Sequence, residues 1–338
     1  MLSFGVCFMT DPPASRVVDM TKLAEECGFD HAWMWDSHVL WEEVYPIFAL
    51  QAAATSRIRL GTCVTNPATR DVTVTASAMA TLNEISGGRM DCGIGRGDSA
   101  RRVIGKPPVT MGRLEEAILQ IRELAAGREV DVDGAPVQLK WASGGHLPIW
   151  VAAYGPKALR LAGRVGDGVI LQLADPYLIE WFLRYVREGA EEAGRSFDDI
   201  KVMAAAPAYV TDDLAHARDQ VRWFPALVSN HVVDLVKRYQ PQDLPAAFVD
   251  FIAAREHYDY AEHGRTGAEH ASFVPDDVVD RFCVLGTAED CAAKLDELRR
   301  VGVNQFNIYS MVDDPEGVIR AFGRDLIPRY ATDGGVRR

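Results

Sequence analysis

Eight short apolar runs recur along the chain, and stretches of helical period lie between them. They are LSFGVCFM (2–9), HAWMWD (31–36), IRLGTCVT (58–65), MDCGIG (90–95), PIWVAAY (148–154), GVILQL (168–173), IKVMAAAPAYV (200–210) and QFNIYS (305–310). Strands that alternate with crossover helices predict a parallel sheet. A doubly wound sheet of about six strands leaves two of these runs without a place. Eight strands instead predict an α/β fold of the (β/α)8 TIM-barrel kind, as one domain over residues 1–338. The helices agree: SRVVDMTKLAEECG places Val17, Val18, Met20, Leu23, Ala24 and Cys27 at helical spacing and stops at Gly28. DCAAKLDELRRVG repeats the design before the last strand.

One interval breaks the rhythm. Residues 211–286 separate strands seven and eight, and they carry helical patterns and an aromatic, histidine-rich stretch, 255–273. Connections this long are commonly functional, and this one leaves the carboxyl end of a strand, where barrel active sites assemble. It is expected to be an insertion that forms a lid or a substrate-pocket wall. Within it, His257, Asp259, His263 and His270 are the best metal-ligand candidates, but their spacing matches no recognised ligand pattern, so a polar surface or pocket wall is expected and no metal.

The net charge of −12 and the scattered arginines argue against nucleic acid or an anionic membrane as partner. No apolar run approaches the ~20 residues of a membrane helix, and the first residues lack the pattern of a signal peptide, so a cytoplasmic protein is expected. Six cysteines without a Cys-x-x-Cys pair read as free, mostly buried thiols. The last residues, TDGGVRR, are the one stretch expected to lack order.

Functional side chains of a barrel cluster where strands end. Strand two ends in WMWDSHVLW, which puts Asp36 and His38 at the rim as proton-exchanging groups, unless Asp36 caps the next helix and His38 is a solvated loop residue. Strand three ends in TCVTNPATRD, where a rigid backbone near Asn66 can hydrogen-bond a planar heterocycle or simply make a turn. Strand four ends in GIGRGDSARR. Gly93, Gly95 and Gly97 allow close approach of a ligand, yet the dinucleotide fingerprint needs glycine where Asp98 stands, and no Gly-Lys-Ser/Thr follows. Strand five ends in AYGPK, so Gly155 and Pro156 open a helix whose first amides can face an anion.

Taken in order, GFDHAWMWDSH, LGTCVTNPATRD, GGRMDCGIGRGDS and VAAYGPKALRLAGRVGDGVIL resemble the bacterial luciferase-like family of flavin and deazaflavin barrels, in the branch that uses coenzyme F420. The resemblance covers residues 1 to about 210 and resumes at VLGTAEDCAAKLDELRRVGVNQFNIY. It implies a non-prolyl cis peptide at Cys63–Val64 beneath the coenzyme ring, coenzyme contacts at Asp36, Cys63, Val64, Asn66, Gly95, Ser99, Tyr154 and Gly155, and a homodimer. Two departures stand out from the sugar-phosphate dehydrogenases of that branch. Arg96 replaces their strand-four acid and becomes a candidate substrate contact, and Ser37 replaces the histidine after their aspartate; both argue against glucose 6-phosphate. The resemblance thus implies hydride transfer between F420 and a small organic molecule, with Asp36 or His38 exchanging the proton. The alternatives are an FMN-dependent monooxygenase and a flavin-binding protein without turnover.

Overall fold

The computed structural model describes residues 1–11, 13–142, 144–229 and 262–331. All eight expected strands form: β1 (Ser3–Phe8), β2 (His31–Met34), β3 (Arg59–Thr62), β4 (Met90–Ile94), β5 (Ile149–Ala152), β6 (Gly168–Leu171), β7 (Lys201–Val210) and β8 (Gln305–Tyr309). Neighbours pair in parallel in chain order and β8 returns to β1, which closes the barrel. Several apolar runs outlast their strands. Trp35, Asp36, Cys63, Val64, Ala153 and Tyr154 have left the ladder and turn over the mouth of the barrel.

The barrel interior is filled by large rings set against glycine. Trp33 and Trp150 meet edge to face with centroids 5.6 Å apart. A Cβ on Gly61 would sit 2.4 Å from the Trp33 ring, and one on Gly168 only 2.2 Å from Trp150. Below them, at the amino ends of the strands, Asp91 accepts hydrogen bonds from Arg59 Nε (2.7 Å) and Trp150 Nε1 (3.1 Å). The His31 ring stacks on Trp33 at 5.5 Å, and burial pushes its imidazole below the usual histidine range, against the opposing pull of Asp91. This polar plug closes the end of the barrel opposite the mouth.

Among the described residues three further short strands lie outside the expected set. Val130–Val132 and Ala135–Val137 form an antiparallel hairpin, turned at Asp133 and Gly134, both with positive φ. Val284–Gly286 pairs in parallel with Ala208–Val210, so the carboxyl end of β7 is extended by the close of the long connection. Asp276–Phe282, the helix before it, is fastened down. Arg281 Nε donates to Asp175 Oδ2 at 2.7 Å, while Asp175 Oδ1 caps the helix Pro176–Glu192 through Tyr177 N and Leu178 N. Thr287 and Asp290 then form a capping box that opens the helix Ala288–Arg300, the crossover into β8.

His257 and Asp259, half of the metal-ligand candidates, lie outside the described residues, as do residues 332–338 and most of the long connection. Among the described residues no helix is long and apolar enough to cross a membrane. All six cysteines are unpaired, and five are buried.

Candidate functional site

The exits of β2, β3, β4, β5, β6 and β8 surround one cavity of about 370 Å³. Asp36 and Ser37 come from β2, Cys63, Val64 and Asn66 from β3, Gly95, Arg96 and Ser99 from β4, Tyr154 and Gly155 from β5, Gln172 from β6 and Tyr309 from β8.

The Cys63–Val64 peptide is cis, where the resemblance implied it. Beyond it the chain rejoins β4: Thr65 N donates to Gly93 O and Gly95 N to Thr65 O, each at 2.9 Å. Asn66 closes this segment with its own side chain, since Oδ1 accepts from Ala68 N and Thr69 N at 3.1 Å. Its Nδ2, buried in the cavity wall, has no hydrogen-bond partner in the structure. A buried donor left unpaired costs roughly 1–3 kcal/mol, and because Asn66 lines the cavity, a small turn of its side chain would let Nδ2 meet an acceptor bound there.

The three alternate glycines at the carboxyl end of β4 and just beyond it have three different reasons. A Cβ on Gly93 would meet Thr62 O at 1.9 Å, which barrel packing forbids. One on Gly95 would press Val64 Cγ2 at 3.0 Å, so this glycine lets the exit of β4 pack against the residue that follows the cis peptide. Gly97 has φ +79, a left-handed conformation, and a Cβ there would lie 2.9 Å from Asn66 Cγ. The motif that resembles a nucleotide loop thus shapes one wall of the cavity.

Asp36 caps no helix. Its Oδ2 accepts from Thr65 Oγ1 at 2.7 Å and from Arg70 Nη1 at 2.8 Å. Burial pushes its carboxyl above the usual range, while Arg70 and Thr65 pull it back. His38 is not brought to the cavity. Ser37 O accepts from Leu40 N (2.9 Å) and Trp41 N (3.1 Å), and the resulting turn leaves His38 exposed while Ser37 is buried. Ser37 Oγ lies 3.0 Å from Ser99 Oγ, so the two residues at the cavity edge form a hydroxyl pair. Tyr154 donates its hydroxyl to Gln172 Oε1, and burial holds that phenol well above its ordinary range. Gly155 opens the helix Pro156–Val165, with Lys157 and Ala158 of its first turn in the wall. Arg96 is half-buried and anchored, its Nε donating to Val109 O at 2.7 Å.

The sequence reading missed the aromatic side of the cavity. Trp35 packs against Trp41 (5.0 Å), Tyr309 (5.3 Å, edge to face) and His263 (5.8 Å). His263 reaches the wall from the end of the long connection, where it was expected as part of a pocket wall. Gly264 (φ +71) lets the chain cross the Trp35 ring, because a Cβ there would come within 2.6 Å of it. Nothing in a one-dimensional pattern pairs residue 35 with residue 263. Arg70, quoted within NPATRD, carried no signal of its reach back to Asp36.

The cavity thus brings together an amide side chain, the cis Cys63–Val64 backbone, the Ser37–Ser99 hydroxyl pair and the start of the helix Pro156–Val165. The family model for the luciferase-like monooxygenases matches residues 2–305. The 5,10-methylenetetrahydromethanopterin reductase of Methanolobus tindarius is 34% identical over 335 residues, 96% of this chain and 100% of that protein. The F420-dependent glucose-6-phosphate dehydrogenase of Beutenbergia cavernae is 34% identical over 248 residues, 67% of this chain and 74% of that one. Among solved structures, the coenzyme F420 dependent tetrahydromethanopterin reductase from Methanopyrus kandleri superposes with a TM-score of 0.77 at 25% identity, over 98% of this chain and 99% of that one.

Proposed function

The chain belongs to the luciferase-like monooxygenase family, and from that premise we propose that it is an oxidoreductase transferring a hydride between coenzyme F420 and a small organic molecule. The observation that carries this reading is the cavity itself, where the cis Cys63–Val64 peptide, Asn66, Ser99 and the start of the helix Pro156–Val165 meet around one space of about 370 Å³. When bound, the deazaflavin supplies or takes up the hydride.

The chain's own residues hold and exclude. Cys63, Val64 and Gly95 would support the coenzyme and Asn66 would donate to it. Ser99, paired with Ser37, and the backbone of Tyr154 and Gly155 at the start of the following helix would hold its anionic part. The Trp35, Trp41 and Tyr309 side would exclude water from the bound reactants and help to orient them, which is most of what hydride transfer requires of a protein. His263, which lines the cavity in that aromatic wall, is the residue we assign to exchange the accompanying proton, because His38 faces solvent. Arg96 stands at the rim for an anionic substrate group. The end of the 211–286 insertion acts as a substrate-pocket wall through His263. Unpaired cysteines support a reducing, cytoplasmic location.

We also assign a homodimer. The helices Val44–Ala54 and Val72–Ile85 pack together and leave Leu50, Val74 and Ile85 about half exposed, apolar surface that suits a second copy. Leu50→Glu should shift the mass measured by light scattering toward a monomer.

The test of function titrates the purified protein with F420 and with FMN, following coenzyme fluorescence, and then measures oxygen uptake with each reduced coenzyme. Tight F420 binding without oxygen consumption is expected. Rapid, substrate-dependent oxygen uptake with reduced FMN would sink the proposal in favour of a monooxygenase.

A further inference from the structure

Arg70 is not among the residues that line the cavity, yet it centres a polar cluster that reaches the cavity wall at Asp36. Its Nη1 donates to Asp36 Oδ2 at 2.8 Å and its Nη2 to Asp36 Oδ1 at 3.3 Å. Nη2 also binds the Glu43 carboxylate, and the guanidinium lies 4.5 Å over the Tyr45 ring. The Tyr45 hydroxyl is 3.3 Å from Thr65 Oγ1, which donates to Asp36 Oδ2 at 2.7 Å. Side-chain exposure rises from 2% at Asp36 through 16% at Arg70 to 43% at Glu43, so the cluster runs from the cavity wall to solvent.

A carboxylate this buried is tolerable only with a cation and donors on its oxygens. While ionised, Asp36 can only accept, so the Thr65 hydroxyl must donate to it. Thr65 in turn belongs to the segment stitched between Gly93 and Gly95, directly after the Cys63–Val64 peptide and directly before Asn66. We propose that Arg70 is a positioning residue: it keeps Asp36 an anionic acceptor, which anchors Thr65 and so sets the Cys63–Asn66 edge against which F420 binds. This rests on the F420 reading. It gives Asp36 a fixed charge rather than a proton to exchange, because the Arg70 guanidinium and the Thr65 hydroxyl both donate to its ionised form.

The experiment is a double-mutant cycle read by F420 fluorescence titration. Arg70→Ala should weaken F420 binding by roughly 10- to 100-fold, since it leaves the buried Asp36 without its cation. Arg70→Lys, which restores charge without the two-pronged fork, should recover part of the loss. In an Asp36→Asn background the same Arg70→Ala change should add less than about threefold, because Arg70 acts through Asp36. An equal loss in both backgrounds, or no loss in either, overturns the proposal.

A second arm needs no coenzyme. The charged or titratable groups facing Asp36 are Arg70, Glu43, Tyr45 and Cys92. Without Arg70, burial and Glu43 act unopposed by a cation, and the folded-state carboxyl rises further above its ordinary 3.8. Stability is then present at low pH and lost as pH rises through that raised value, so Arg70→Ala should gain thermal stability on acidification relative to wild type. Asp36→Asn should abolish the difference, and parallel pH curves for Arg70→Ala and wild type overturn the proposal. A wild-type protein that binds no F420 would defeat the coenzyme reading, and the thermal arm alone would then decide for or against Arg70.

Discussion

Substituting Gly97 by alanine separates backbone strain from damage to the cavity, because the same region contains a matched control. Gly97 (φ +79) and Gly105 (φ +71) are both left-handed, so alanine at either costs about 1–2 kcal/mol of backbone strain. A Cβ at Gly105 meets nothing within 4 Å, whereas one at Gly97 lies 2.9, 3.0 and 3.1 Å from Asn66 Cγ, Cβ and Oδ1. To make room Asn66 must give up its 3.1 Å bonds from Ala68 N and Thr69 N, at roughly 0.5–1.5 kcal/mol each. Gly97→Ala should therefore be about 1–3 kcal/mol less stable than Gly105→Ala. With about 2.1 cal/mol/K of unfolding entropy per residue over 338 residues, that is a Tm difference of roughly 1.5–4 °C. Thermal unfolding and F420 titration of both variants measure it. Gly97→Ala should also lose coenzyme affinity, since the displaced amide carries the unpartnered Nδ2. Equal Tm and equal F420 affinity in the two variants would refute the assignment of Asn66.

The other glycines of β4 should differ in kind. Gly93→Ala, whose Cβ would fall 1.9 Å from Thr62 O, should yield insoluble or unfolded protein, while Gly95→Ala, at 3.0 Å from Val64 Cγ2, should fold and bind F420 more weakly; circular dichroism and coenzyme titration separate the two, and a well-folded Gly93→Ala contradicts the packing argument. At the closed end of the barrel, His31 has a folded-state value depressed by burial below its ordinary 6.5. Its contribution to stability is therefore complete above about pH 6.5 and is lost as pH falls toward the depressed value, because the unfolded chain binds the proton first. Urea unfolding between about pH 7 and 5 should show wild type losing stability relative to His31→Gln; parallel curves would exclude His31 as the cause.

The sequence by itself determined the architecture. Eight apolar runs spaced by helical material admit a closed barrel; the ends of those runs named Asp36, Asn66, Gly95 and Gly155, and the family resemblance added Ser99 and Tyr154, as residues that the fold does gather at one mouth. That much is legible because strand periodicity and strand-end position are local properties, and the barrel converts position along a strand into height within the molecule. What lies across the mouth is not local. Ser37 rather than His38 enters because a turn on the Ser37 carbonyl rotates the next side chain outward, a difference of one residue that no periodicity encodes. Arg70 reaches Asp36 across 34 positions, and His263 reaches Trp35 across more than 200. The tertiary structure alone decided these pairs, since the partners meet only when the barrel closes and burial makes an unpaired carboxylate such as Asp36 too costly to leave alone.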